Sequence, residues 1–409
     1  MQPKLYPRLA LALLTVLNVL NFIDRNVLLA VQPLVKQEFQ VTDAALGLLT
    51  SAFFFTYMFS APVVGWMGDR FSRKALIVTG VTVWSGFTLL TGLVHDYHQL
   101  LIRHAIVGIG EASYAAVAPS WVCDLFPLER RGRALAIFNC GLAVGSAGGL
   151  ILGASFGHPF GWRAPFLLAG IPGFVLALVL WRLPEPPRGR FDPVSASALR
   201  STLPGLMVNP AFWTATIGLA LYTFAVGGLQ VWIPTFLNRV RGVPVERAGV
   251  VFGIIVAFNG IVAVLIGGWL GDRMLKRHDG AYYAVAGLAM FAAVPFMVLA
   301  VYASGPWMFP LIFVAVFFLL VGTAPSNGAV VNAVNARIRS TALALNLFVI
   351  HLLGDAFSPW LIGAISDRTS LLTAFSVTFA AAAFSGMVMV YGARFAPRLI
   401  SHRLNEAKS

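Results

Sequence analysis

Long apolar runs separated by short polar stretches dominate the chain. A run of about 20 apolar residues is long enough to cross a membrane as a helix. The pattern therefore predicts an all-α membrane protein with twelve transmembrane helices. The runs lie at about residues 9–31, 44–67, 75–94, 99–121, 134–157, 164–182, 211–236, 248–270, 281–302, 307–329, 341–364 and 371–393.

Composition supports a membrane protein. Hydrophobic residues make up 58% and charged residues 11% of the 409 residues, with a mean hydropathy of +0.80. Soluble domains are about 25% charged, which argues against a soluble protein with a large core. The first run is too long for a cleavable signal and is followed by eleven more. We expect a multi-pass protein of the plasma membrane, or of the inner membrane if the source is bacterial.

The net charge of +13 follows the loops. If the N-terminus is cytoplasmic, most Lys and Arg residues fall on cytoplasmic loops, as the positive-inside rule requires. The C-terminus is then cytoplasmic too. The positive charge is thus explained by topology and by anionic lipid headgroups, and nucleic acid is not an expected partner. Cys123 and Cys140 suggest packing residues, and we expect no cofactor and no metal site.

Two polar motifs occur once in each half of the chain. Gly65-Trp-Met-Gly-Asp-Arg returns 203 residues later as Gly268-Trp-Leu-Gly-Asp-Arg, and Arg131-Gly-Arg-Ala-Leu-Ala returns as Arg339-Ser-Thr-Ala-Leu-Ala. Repeats of this kind predict two pseudo-symmetric six-helix bundles. The predicted parts are an N-terminal bundle at 1–182, a Pro-rich cytoplasmic linker at 183–209, a C-terminal bundle at 210–395 and a cytoplasmic tail at 396–409.

The charged turn at residues 65–74 lies between two apolar runs. We interpret its charges as a latch that pairs with a neighbouring helix end in one conformation and releases it in another. His351 and Asp355, four residues apart on one helix face, are expected to act in structure or gating as well. The predicted gating residues are Asp69, Arg70, Arg73, Asp272, Arg273, Arg131, Arg339, His351 and Asp355.

The first apolar run contains ionisable residues. Asp24 and Arg25 interrupt it, and apolar residues continue beyond them. Charges at that depth are costly and usually serve a function. Asn21 lies on the face of Arg25, whereas Asp24 points about 100° away. An alternative is that Asp24 and Arg25 only cap the outer end of the helix.

The fourth run contains Glu111 near its middle, with Arg103 and His104 about two turns before it and Tyr114 after it. A buried carboxyl can load and release a proton near neutral pH. We therefore predict Asp24 and Glu111 as proton-coupling residues. The predicted substrate-binding residues are Arg25, Arg103, His104, Tyr114 and Asn21.

These motifs resemble the major facilitator superfamily and, within it, the Spinster family of lipid transporters. The charged turn carries the superfamily resemblance. The Spinster resemblance rests on five stretches along nearly the whole chain. They are Asn21-Phe-Ile-Asp-Arg with Pro33 and Phe39; residues 65–74; Gly108-Ile-Gly-Glu-Ala-Ser-Tyr with Pro119; Gly161-Trp-Arg; and Arg339-Ser-Thr-Ala with His351-Leu-Leu-Gly-Asp-Ala-Phe-Ser-Pro and Gly363-Ala-Ile-Ser-Asp.

The resemblance implies the major facilitator fold and transport of lysophospholipids or sphingosine 1-phosphate. By position, Asp24 and Glu111 would be protonation sites, and Arg25 would meet an anionic headgroup. In relatives the fourth-helix Arg precedes the Glu by seven residues. Here Arg103 precedes Glu111 by eight and His104 by seven, so either residue is a candidate for that role.

The functional hypothesis is a monomeric, proton-coupled secondary transporter for lysophospholipid or sphingolipid-like anions, working by alternating access. Its partners would be the substrate, protons and membrane lipids. One alternative is a proton-coupled symporter of small organic anions such as sugar acids. A membrane-embedded lipid-modifying enzyme is a further alternative, but no nucleophile–base or metal set supports one, so we expect no enzyme. A non-transporting receptor would tolerate loss of Asp24 and Glu111.

Overall fold

A computed structural model describes residues 6–188, 203–334 and 339–397. Helices account for nearly all of the described chain. They form twelve helical spans that are long and apolar enough to cross a membrane, and three of these spans are divided into shorter helices. This confirms the predicted all-α architecture. The helices of the first half are α1 (Tyr6–Phe39), α2 (Asp43–Arg70), α3 (Arg73–Thr91), α4 (Tyr97–Leu125), α5 (Leu128–Gly157) and α6 (Ala164–Arg182).

The second half follows the same order with more interruptions. Its helices are α7 (Leu203–Met207), α8 (Pro210–Arg239), α9 (Val245–Leu275), α10 (Ala281–Tyr302), α11 (Met308–Val321), α12 (Thr323–Asn332), α13 (Arg339–Ile350), α14 (Ser358–Arg368), α15 (Leu371–Ala374) and α16 (Ser376–Gly392). The short helix α7 lies inside the predicted linker. Residues Pro184–Pro187 of that linker are not helical.

Side-chain caps define where several helices begin. Thr42, Ser72 and Asp96 each accept a hydrogen bond from the backbone amide three residues later, at the start of α2, α3 and α4. Such caps satisfy amides that have no partner within the helix. Only Phe71 and Ser72 of the charged turn therefore lie between the helices. Its charged residues lie on the ends of α2 and α3.

Glycines let α5 pack directly on α1. Gly141, Gly145, Gly149 and Gly153 form one stripe on α5, and a methyl group on Gly149 would lie 2.5 Å from the Ile23 carbonyl oxygen. Helices with small residues at this spacing approach to backbone contact in membranes. This contact holds the middle of α1, and with it Asp24 and Arg25.

Two more glycines hold α4 on both sides of Glu111. Gly108 lies against the backbone of α2 at Phe53, and Gly110 lies against the backbone of α3 at Gly80 and Trp84. Small residues at these two positions permit the close approach of both neighbouring helices. Glu111 is thereby fixed in a helix that contacts both neighbours.

One predicted transmembrane run is a broken helix. Residues His351–Asp355 form a single π turn between α13 and α14, with Gly354 at the non-helical angles φ −103° and ψ −109°. Pro359, near the start of α14, has no backbone N–H to donate to the preceding turn. Apolar periodicity is continuous through this region, so the sequence pattern did not reveal the break.

Packing divides the chain into two compact units. The first comprises Met1–Ser195 and Val231–Ala257, and the second comprises Ala196–Gln230 and Phe258–Ser409. The first unit thus includes the end of α8 and the beginning of α9. The sequence-based boundaries at 182 and 210 stay a prediction.

Candidate functional site

The centre of the candidate site is on α1. Asp24 and Arg25 lie near the middle of this helix, which continues to Phe39. They therefore do not cap its outer end. Because Asp24 and Arg25 are neighbours on an α-helix, their side chains point about 100° apart. The backbone contact with α5 fixes the rotation of α1 and therefore which neighbours each side chain meets.

Arg25 forms an ion pair with Glu111. Its Nη2 and Nε atoms donate to Oε2 of Glu111 at 2.8 and 3.3 Å. The Glu111 side chain is 0% exposed and the Arg25 side chain 16% exposed. Oε1 of Glu111 has no hydrogen-bond partner among the described residues. The predicted roles of Glu111 in proton coupling and of Arg25 in substrate binding stay predictions.

Four aromatic rings surround the Arg25 guanidinium. Its Cζ atom lies 4.7 to 5.5 Å from the ring centroids of Phe22, Phe53, Phe54 and Tyr57. Cations at these distances are attracted to the ring faces. The guanidinium is therefore held by one carboxylate and an apolar aromatic wall.

Asp24 lies on another side of α1 and is 2% exposed. Neither of its carboxyl oxygens has a hydrogen-bond partner within the described part of the chain. The polar groups that face it are Thr88 and Trp84 of α3, with Glu111 as its charged neighbour. Asp24 thus lies near Glu111, whose carboxylate pairs with Arg25.

Asn18 and Asn21 of α1 lie in different surroundings. Asn21 is 2% exposed, one turn before Arg25, and its amide nitrogen is unpartnered among the described residues. Asn18 instead donates to the Phe138 carbonyl of α5 at 2.9 Å. Asn21 lies on the same face of α1 as Arg25 and therefore belongs to the candidate site. Asn18 instead links α1 to α5.

The two basic residues of α4 point apart. His104 is buried, and its ring centroid lies 5.4 Å from that of Phe53. Arg103 donates through Nη1 to the carbonyl of Leu90, near the end of α3. His104 therefore joins the aromatic wall of the site, and Arg103 does not.

Tyr114 is fully buried in helix packing. Its hydroxyl donates to the carbonyl of Leu14 in α1, and its ring meets Trp84 edge-on with centroids 5.7 Å apart. This arrangement ties α4 to α1. Its predicted role as a substrate ligand stays a prediction.

With this geometry described, comparison with known proteins identifies the family. The family model described as Major Facilitator Superfamily matches residues 14–359. The chain belongs to the major facilitator superfamily. It is 34% identical to protein spinster homolog 1 of Xenopus laevis over 375 residues, covering 86% of this chain and 71% of that protein. Human protein spinster homolog 1 is 33% identical over 388 residues, covering 88% of this chain and 73% of that protein. The chain is thus also a member of the Spinster family.

Solved structures show the same fold. A bacterial homolog of the human lysosomal transporter Spinster, in an inward-facing, unoccupied conformation, has a TM-score of 0.83 at 24% identity and 96% coverage of both chains. The inward-open xylose transporter XylE from E. coli has a TM-score of 0.75 at 15% identity, covering 96% of this chain and 97% of that one. The chain therefore has the twelve-helix major facilitator fold. It is an integral, multi-pass membrane transporter of a small-molecule substrate and not an enzyme.

The charged turn of this Spinster-family chain holds a buried cluster in its first copy. Arg73 is 4% exposed and pairs with Asp124 at the end of α4. It also donates through Nε to Glu185 at 3.2 Å and through Nη2 to the Pro186 carbonyl at 2.9 Å. Arg70 is exposed and stacks on Trp66 at 4.1 Å.

The second copy of the turn repeats the stacking. Arg273 lies over Trp269 at 5.3 Å, and Asp272 accepts a hydrogen bond of 2.5 Å from the Tyr282 hydroxyl. The side chains of three further predicted gating residues lie outside the described part of the structure. They are Asp69, Arg131 and Arg339. Gating by these turns stays a prediction.

His351 and Asp355 meet across the π turn. Nδ1 of His351 lies 2.8 Å from Oδ1 of Asp355. Asp355 also packs against Gly227 of α8. The pair predicted from the four-residue spacing is present, in a π turn and not in a regular α-helix.

Sequence reasoning missed the partners of Arg73 and a second charged cluster. Asp43, at the start of α2, is 1% exposed and binds Lys36 and Arg239, with Arg239 Nη2 at 2.9 Å from Oδ2. A run of charges on helix ends could have marked these residues as candidates. Except for Lys36 and Asp43, which are seven residues apart, the pairings join positions far apart in sequence, which no local spacing reveals.

Proposed function

We propose that this chain is a proton-coupled secondary active transporter of lysophospholipid or sphingolipid-like anions that works by alternating access. The observation that carries the proposal is the buried Arg25–Glu111 ion pair with the second carboxyl of Asp24 beside it. Arg25 compensates the charge of Glu111, and Glu111 is in turn the charged neighbour of Asp24. A buried carboxylate without a cation is costly, so the set favours holding a proton.

Proton binding and anion binding are linked through Arg25. Protonation of Glu111 removes the negative charge that holds the guanidinium. Arg25 then has a strong donor fork available for a phosphate or carboxylate. Release of the proton restores the ion pair and favours departure of the anion.

The surroundings of Arg25 favour an amphipathic substrate. Phe22, Phe53, Phe54 and Tyr57 form an apolar wall beside the cation. Such a wall suits a molecule with an anionic head and a hydrocarbon tail. A sugar acid instead requires polar groups for each of its hydroxyls, because a buried hydroxyl without a partner is unfavourable.

The test uses the full chain in liposomes with a pH-sensitive dye inside. Addition of a lysophospholipid is expected to drive proton flux in the wild type and in Glu38→Gln, which alters a carboxylate bound to Arg163 away from Arg25. Asp24→Asn and Glu111→Gln are expected to abolish that flux. Flux with a sugar acid alone would assign the small-anion alternative. Lysophospholipid flux that persists in both site variants would refute the proposed coupling.

A further inference from the structure

Asp24 faces two hydrogen-bond donors of α3. Its carboxyl oxygens are buried and have no hydrogen-bond partner in the described part of the chain. Trp84 is 0% exposed, and its indole N–H also lacks a partner among the described residues. Thr88 lies one turn further along α3 and is 3% exposed. Buried polar groups are nearly always hydrogen-bonded, so an acceptor and a donor without partners in one interface require an explanation.

Packing on α6 shows that α1 and α3 are in register here. A methyl group on Gly173 of α6 would overlap the Ser85 hydroxyl of α3 and would lie 3.4 Å from Cδ2 of Leu20 in α1. The two helices cross the membrane in the same direction, because α2 between them reverses the chain. The next turn of each helix therefore brings Thr88 to the level of Asp24, which it faces.

Trp84 is held in place by α4. Gly110 lies against the backbone and Cβ of Trp84, and the Tyr114 ring meets the indole edge-on with centroids 5.7 Å apart. Tyr114 in turn donates to the Leu14 carbonyl of α1. The large indole is therefore fixed by its neighbours, and a rotation of the smaller Asp24 side chain is enough to pair the two groups.

The charged groups around Asp24 do not offer it a cation. Glu111 of α4 is its charged neighbour, and Arg25, the next residue on α1, binds Glu111. The middle parts of the other helices of this half contain no Asp, Glu, His, Lys or Arg. They are residues 44–68 of α2, 75–91 of α3, 141–157 of α5 and 164–181 of α6. An ionised Asp24 therefore depends on uncharged donors for its stabilisation.

We propose that Trp84 and Thr88 are positioning residues that hold the ionised carboxylate of Asp24 by two hydrogen bonds, one from the indole N–H and one from the hydroxyl. The inference rests on the proposed function, because it names the groups that determine when the acid of α1 takes up its proton. The two acids then use different partners when ionised, since Glu111 has the guanidinium of Arg25. On protonation, a proton moves from water to a carboxyl oxygen of Asp24, and the contact between α1 and α3 weakens.

The test follows Asp24 directly, by infrared titration of the full chain in liposomes. A protonated carboxyl has a C=O stretching band that a carboxylate lacks, and the band that is missing in Asp24→Asn belongs to Asp24. Trp84→Phe and Thr88→Val each remove one donor. We expect each to move the midpoint of that band to higher pH by about one unit, because a donor to the ionised form is lost. The pH profile of lysophospholipid-driven proton flux should move in the same direction.

Matched variants separate hydrogen bonding from packing. Trp121→Phe makes the same change at a tryptophan of α4 that is also 0% exposed and whose indole N–H lacks a partner among the described residues. It should leave the midpoint unchanged. Thr88→Ser keeps the hydroxyl and should restore the wild-type midpoint. If Trp84→Phe fails to fold, the comparison of Thr88→Val with Thr88→Ser decides.

The band and the flux separate this inference from the proposed function. A midpoint that stays at the wild-type pH in either folded variant, Trp84→Phe or Thr88→Val, would overturn the inference whether or not lipid drives proton flux. An equal shift in Trp121→Phe, or the absence of a titrating Asp24 band in the wild type, would overturn it too. Absence of lysophospholipid-driven flux in the wild type, with the band shifted in the variants, would instead refute the proposed function and support the contact with α3.

Discussion

The two halves of the chain share a scaffold motif but differ in the chemistry of their interiors. Both copies of the charged turn stack an arginine on a tryptophan, Arg70 on Trp66 and Arg273 on Trp269. The first half also buries Asp24, Arg25 and Glu111 near the middle of helices. Sequence repetition has therefore preserved the turn and not the ionisable site.

In the described second half, most of the polar contacts in the interior join uncharged groups. The Tyr222 and Thr323 hydroxyls lie 2.6 Å apart, and Asn259 donates to the Phe313 carbonyl at 3.3 Å. His351 and Asp355 form the ionisable pair of that half. Under the proposed function, proton and anion chemistry would belong to the first half. Among its described residues, the second half supplies mainly neutral polar groups, the His351–Asp355 pair and a break in a helix.

The largest effect is expected from removing the central cation. Arg25→Gln should reduce substrate-driven flux to background and lower stability, because losing one member of a buried ion pair costs about 3–5 kcal/mol. Thermal unfolding in detergent, alongside liposome flux, checks both effects. The double variant Arg25→Gln/Glu111→Gln should regain stability without regaining flux. Substantial flux in Arg25→Gln would contradict the assignment of the anion-binding site to the first half.

The two copies of the turn should respond differently to the same change. Arg73→Gln should destabilise the protein by about 3 kcal/mol or more, since it leaves Asp124 buried without its guanidinium. Arg273→Gln loses a stacking contact with Trp269, worth about 0.5–1 kcal/mol at an exposed site. Thermal stability of the paired variants measures the ratio. Equal losses would show that the copies are energetically equivalent.

A smaller effect is expected at the π turn of the second half. Asp355→Asn should weaken the contact with His351 by about 1 kcal/mol and leave the pH dependence of transport unchanged. The pH profile of flux, recorded for wild type and variant, is the measurement. A shift of the pH profile in the variant would show that a residue of the second half also takes part in proton coupling. That result would contradict the proposed difference between the two halves.

An effect of similar size, dependent on pH, concerns Glu185, which lies beyond the membrane helices. Burial raises its pKa, but hydrogen bonds from Ser72, Lys74 and Arg73 lower it more, so its pKa is below the ordinary value. Its contribution is therefore complete above the ordinary pKa and lost as the pH falls through the lowered value.

Glu185→Gln should accordingly cost about 1 kcal/mol at pH 7 and almost nothing in strong acid. Thermal unfolding of wild type and variant across acidic and neutral pH gives the difference curve. A cost that stays constant down to strong acid would mean that the carboxylate charge has no role.

Much of this architecture is predictable from the sequence. Apolar run length gives the twelve helices, and repeated motifs give two related halves. Their depth in the apolar runs marked Asp24, Arg25 and Glu111 as candidate functional residues, because intramembrane charges are costly. The four-residue spacing of His351 and Asp355 predicted their contact.

Other features depend on long-range packing that helical periodicity does not specify. Periodicity separates the faces of Arg103 and His104 by about 100° but does not say which neighbour each face meets. The Tyr114 hydroxyl donates to the Leu14 carbonyl. Arg73 donates to Asp124 and Glu185, which lie far from it in the sequence. The break at Gly354 lies in an apolar stretch and leaves no periodic signal.

The most direct test of the central claim separates lipid movement from proton coupling in Glu111→Gln. Exchange of labelled lysophospholipid across liposomes needs only binding and conformational change, whereas accumulation driven by a pH gradient also needs a titrating carboxyl. We predict that Glu111→Gln retains exchange and loses pH-driven accumulation, with Glu38→Gln normal in both. Accumulation at the wild-type level in Glu111→Gln would contradict the account.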